Sequence, residues 1–94
     1  MAASTVATRI AHGHAFEKHV REHGQFPGIL TPAQFATEIQ RIMDHPSASK
    51  RLARGRQAYW DEATGIVVIV DPHTRDGGTA FKPVSGHTYY VHLK

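Results

Sequence analysis

Ninety-four residues with a net charge of +3, a pI of about 9.6 and no cysteine describe one small, mildly basic domain. A chain of this length buries only roughly 60–65% of the surface it exposes when unfolded, which excludes a deep, elaborate active site. The lack of cysteine removes disulfides, thiolate metal sites and cysteine nucleophiles together, and no stretch approaches the ~20 apolar residues of a membrane-spanning helix.

Residues 1–10 (MAASTVATRI) read as a linker-like lead-in to a single domain over 11–94. The first helix is expected from Ala11 or His14 to His23, with Gly24 ending it and Phe16 and Val20, four apart, facing the core. The stretch QFPGIL, 25–30, connects to a strong helix start. Thr31 can cap, Pro32 suits the first helical position, and Gln34 completes a capping box. Phe35, Ile39, Ile42 and Met43 then form an apolar stripe, and Pro46 ends the helix after His45. Residues 47–54 are expected as another short turn of helix carrying Lys50, Arg51 and Arg54.

Near Arg56 the chain changes character and becomes rich in Val, Ile, Tyr, Trp and Phe. RQAYWD (56–61), IVVIV (66–70) and TAFKP (79–83) read as strands, the second a continuous apolar run suited to a covered central position. The closing HTYYVHL alternates and favours a fourth strand, with a short helical turn as the alternative. The expected fold is α+β, with two N-terminal helices packed on a four-stranded antiparallel sheet.

Of eight histidines, three fall in HGHAFEKHV, residues 12–20. At 100° per residue, His12, Phe16, His19 and His23 share one line, while His14 and Lys18 lie on another. His19 and His23 have a zinc-chelating spacing, but His12 could be the third ligand only on a regular helix through Gly13, and no second cluster or HExxH-type motif completes the set, so no cofactor is expected. Acid–base chemistry needs a proton carrier near neutral pH, which His14 or His19 supplies, and a cation for developing charge, from Lys18, Arg56 or Lys82. Thr79 and Tyr89 or Tyr90 could hydrogen-bond a phosphate. Against this stands the ordinary role of a helical histidine as a surface or half-buried polar group.

The run KRLARGR, 50–56, is either a solvated face or a phosphate-contact patch, and Tyr59 and Trp60 are either core residues or platforms for unpaired bases. The DGG of residues 76–78 is a turn without a following helix N-terminus, which rejects P-loop nucleotide binding.

The order of the blocks HGHAFEKHV, FPGI, GRQAYWD, TGIVVIVDP and DGGTAFKP, followed by a Tyr-Tyr pair, resembles the C-terminal ribonuclease toxin domains of bacterial polymorphic toxins. These are the contact-dependent growth inhibition and Rhs-type effectors that share the barnase, EndoU, colicin D and RelE fold. The resemblance spans residues 12–93. It implies metal-independent RNA cleavage, frequently in tRNA, by attack of a 2′-hydroxyl on the adjacent phosphorus to leave a 2′,3′-cyclic phosphate. It also implies delivery within a larger secreted or surface-presented effector, action in the target-cell cytoplasm, and neutralisation by a cognate immunity protein.

On this resemblance the catalytic residues are His14, His19, Arg56, Thr79 and Tyr90, with either histidine as the base. Lys18, Lys50, Arg51, Arg54, Trp60, Lys82 and Tyr89 contact RNA. The sequence lacks the lysine-rich catalytic patch of colicin D. An inhibitor of so basic a domain is expected to be acidic, and the domain to be otherwise monomeric. Two alternatives stand beside this reading: a non-catalytic nucleic-acid-binding module and a zinc-dependent nuclease.

Overall fold

The computed structural model describes residues 5–22, 24, 26 and 28–94, with the side chains of 19, 21 and 22 outside the description. Residues 5–10, expected as lead-in, are instead part of helix α1 (Thr5–His12), whose Ala7 and Ile10 are 0% exposed. The reason is spacing: Ala7, Ile10 and Ala11 recur at helical intervals, so one face of α1 buries Ile10 while the two alanines keep that face narrow.

The helix breaks at Gly13, so His12 belongs to a different element from the histidines that follow it. Phe16–Glu22 is π-helical, wound more loosely than an α-helix. His12 and Phe16 therefore do not share one regular helix, while the His19 side chain and His23 lie outside the described residues. Phe16 and Val20 are buried as expected, and Phe16 meets Phe35 with ring centroids 6.0 Å apart.

Helix α2 (Pro32–Asp44) starts as its sequence predicts. Gln34 N–H donates to Thr31 Oγ1 at 3.2 Å, and Thr31 N–H donates to Gln34 Oε1 at 3.2 Å. Phe35, Ile39 and Ile42 are fully buried, each worth roughly 1.5–3 kcal/mol relative to exposure.

Four strands, β1 (Ala48–Arg51), β2 (Gln57–Asp61), β3 (Ile66–Val70) and β4 (Gly78–Phe81), form an antiparallel meander in that order. The fold is thus α+β with a four-stranded antiparallel sheet, but two elements trade places with expectation. Residues 48–51 are an edge strand rather than helix. Their alternation is carried by Ala48 and the aliphatic stem of Lys50, so no apolar run announced it. HTYYVHL is not a strand but helix α3 (His87–His92), where Tyr89, Tyr90 and Leu93 share a helical face and Val91 is exposed. Over so few residues the two periods cannot be told apart.

The sheet separates two cores. Ile66, Val68 and Ala80 join α1, α2 and the π-helical segment on one face. Ala58, Trp60, Val67 and Ile69 meet Tyr90 of α3 on the other. Asp61, 4% exposed at the end of β2, ties the first face to the β2–β3 turn. Its Oδ2 accepts from Thr64 Oγ1 at 2.5 Å, Thr64 N–H at 3.2 Å and Arg41 Nη2 at 3.2 Å. Burial pushes this carboxyl up, but the hydrogen bonds from Thr64 and Arg41 outweigh it and hold the group below its ordinary value.

Candidate active-site cleft

The loop between β3 and β4 is folded by its own backbone and then clamped by α1. Asp71 turns the chain, its Oδ1 accepting from His73 N–H at 3.0 Å and its carbonyl from Thr74 Oγ1 at 3.2 Å. Asp71 N–H donates to the Gly77 carbonyl at 2.8 Å, closing the loop at its base. Arg9 Nη2 donates to the carbonyls of Thr74 (3.0 Å) and Arg75 (2.8 Å). A side chain in the supposed lead-in therefore fixes the loop that carries Asp76.

Asp76 reaches across to the break between α1 and the π-helical segment. Its Oδ2 accepts from His14 N–H at 3.3 Å and lies 2.5 Å from His14 Nδ1. The approach requires glycine next door: a Cβ on Gly13 would stand 2.7 Å from both Cβ and Cγ of Asp76. The ring and backbone hydrogen bonds from His14 hold the Asp76 carboxyl below the usual carboxylate range. An ionised carboxylate only accepts, so Nδ1 of a neutral His14 carries the proton and Nε2 presents its lone pair. The His14 side chain is 60% exposed, leaving that nitrogen open to a ligand.

His14 and Asp76 form one wall of a cleft of about 420 Å³ at the end of the sheet. Arg56 and Thr79 also line it, together with Ile69, Gly78 and the loop residues Asp71, Thr74 and Arg75. Three of the five residues proposed for catalysis, separate in sequence, thus meet in one place. Arg56 is braced by its own turn and by the C-terminal segment, Nε donating to the Ala53 carbonyl at 3.0 Å and Nη2 to the Lys94 carbonyl at 2.8 Å. Its guanidinium has further donors. Arg56 also borders an adjoining hollow lined by Arg51 and Gly55, and Arg54 is exposed on the same turn.

The remaining expected site residues lie elsewhere. Tyr90 is 6% exposed and packs under α3, its ring centroid 6.1 Å from that of Trp60, and burial raises its hydroxyl pKa. Trp60 is 3% exposed and its Nε1 donates to Glu62, so it is a core residue and not a platform for bases. Tyr89 is half-buried edge-on against Phe81 at 5.3 Å. Lys50 lies over the Tyr90 ring at 4.8 Å and donates to the Val91 carbonyl, holding α3 to β1. Lys82 lies past the opposite end of β4, roughly 13 Å of strand away from Gly78, in a separate depression with Phe26 and Thr64. Lys18 is exposed on the π-helical segment and does not line the cleft. The side chain of His19, and His23 with it, lies outside the described residues.

Sequence reasoning missed Asp76 and Arg9. Asp76 sits in a glycine-rich loop that reads first as a turn, 62 residues from its partner, so no spacing pointed to it. Among the described residues, no group of three or more His, Asp or Glu side chains converges as a metal site would require. Neither a protein-family model nor a curated protein matches the chain.

Proposed function

We propose that this domain is an endoribonuclease that cleaves RNA by 2′-hydroxyl attack, with His14 as the general base oriented by Asp76. The observation that supports the reading is the meeting of a carboxylate-oriented imidazole and a braced arginine in one open cleft. RNA carries its own nucleophile, so a base and a cation suffice. His14 Nε2 removes the 2′-hydroxyl proton as O2′ bonds to phosphorus, and Arg56 stabilises the charge that gathers on the phosphoryl oxygens. The bond to O5′ breaks, O5′ takes up a proton from solvent, and a 2′,3′-cyclic phosphate remains.

The finer resemblance belongs to the same proposal: N-terminal helical elements against a four-stranded antiparallel sheet, as the ribonuclease toxins would have, with tRNA as substrate and an acidic immunity protein as inhibitor. Exposed Arg51 and Arg54 beside the cleft suit the phosphates flanking the cleaved one. They also favour a second reading, a module that binds nucleic acid without turnover.

Incubation of the domain with total tRNA in EDTA tests these readings. Fragments ending in 2′,3′-cyclic phosphate, lost in His14→Ala, are the expected result. Intact RNA at micromolar protein sinks the ribonuclease reading, and salt-dependent binding without cleavage selects the module. Cleavage that EDTA abolishes points to a metal-dependent nuclease.

A further inference from the structure

The lining of the cleft holds a polar atom that the proposed chemistry leaves unused. Thr79 Oγ1 is buried and has no hydrogen-bond partner among the described residues. Such a hydroxyl is costly in the free protein, and valine would fill the same volume without the cost. Thr79 nevertheless lines the cleft, and a change of χ1 rotamer is the motion that would bring its hydroxyl to a ligand there.

The surroundings say what the hydroxyl would meet. Thr79 pairs directly with Ile69 across β3 and β4, and both point to the face that α3 covers further along. Beside them Gly78 contributes no side chain. The charged groups of the lining are Arg56, Arg75, Asp71 and the His14–Asp76 pair. Most of the cleft's lining surface is apolar, and among the described residues Thr79 carries its one buried hydroxyl without a partner. A nucleobase has the matching features: a face that packs on apolar surface and an edge that hydrogen-bonds.

We propose that Ile69, Gly78 and Thr79 form a nucleobase subsite, in which the base beside the attacked phosphate packs on Ile69 and Gly78 and hydrogen-bonds through its edge to Thr79 Oγ1. The inference rests on the ribonuclease reading for its substrate, and assigns Thr79 to reading the base rather than to holding the phosphate.

The test is titration of the wild type, Thr79→Val and Thr79→Ser with the four ribonucleoside 3′-monophosphates, followed by backbone and methyl NMR. These probes are not substrates, so the result does not depend on turnover. The wild type should bind one or two of the four more tightly, with shifts at Ile69, Gly78 and Thr79. Thr79→Val should weaken the preferred nucleotide roughly tenfold and level the four, while Thr79→Ser keeps the preference. Equal binding of all four, a preference that survives in Thr79→Val, or absence of shifts at these residues overturns the subsite. Discrimination that depends on Thr79 in a protein that leaves tRNA intact upholds the subsite and removes the ribonuclease reading. Cleavage of tRNA with no shift at Thr79 does the reverse.

Discussion

Asp76 and His14, 62 residues apart, are joined through one carboxylate oxygen that meets both the ring Nδ1 and the backbone N–H of the histidine. The double contact fixes the ring's tautomer and its position at once. Asp76→Asn should keep the shape but let the ring take the wrong tautomer, lowering RNA cleavage by about 10²–10⁴-fold with unchanged circular dichroism. Single-turnover rates on tRNA measure this.

The same carboxylate predicts a pH dependence. Its folded pKa is depressed below the ordinary 3.8, so the folded state binds its proton less readily than the unfolded one. Its contribution to stability is therefore complete above about pH 4 and is lost as pH falls through the lower folded value. The difference in thermal midpoint between wild type and Asp76→Asn should shrink as pH falls below about 4.

Gly13 should matter only through Asp76. Gly13→Ala places a methyl 2.7 Å from the Asp76 side chain and should separate the pair. Activity should fall to that of Asp76→Ala, and the double variant should lose nothing more, because both changes remove one interaction. Additive losses would show that Gly13 acts elsewhere.

Ile10 tests whether α1 is integral. At 0% exposure, Ile10→Ala should cost about 2–5 kcal/mol in urea unfolding. A change within error would mean that residues 5–10 belong to the lead-in read from the sequence over 1–10.

Thr79→Val should stabilise. It removes the one buried side-chain hydroxyl found without a partner among the described residues, a gain of about 1 kcal/mol or roughly 4–8 °C in a domain of this size. Differential scanning calorimetry reads it, and a lowered midpoint would mean that the hydroxyl has a partner in solution.

Much of the architecture was legible because local chemistry specified it. Thr31, Pro32 and Gln34 dictated the start of α2, since capping needs only neighbours in sequence. The apolar run 66–70 dictated a central strand, since both of its faces are covered. Residue type put His14, Arg56 and Thr79 among the candidates, beside His19, Lys18, Lys82 and the tyrosines, without choosing between them. Three things were settled only by tertiary contact. Residues 5–12 form a helix because Ala7, Ile10 and Ala11 fit against the core, which composition does not reveal. Ala48–Arg51 becomes a strand because β2 offers an unpaired edge, while the tyrosine-rich end becomes α3 because Tyr90 fills the second core beside Trp60. The orientation of His14 by Asp76, and the clamp of Arg9 on that loop, join residues more than sixty apart. Side-chain type was written in the chain, but which side chains meet depended on how two cores closed around one sheet.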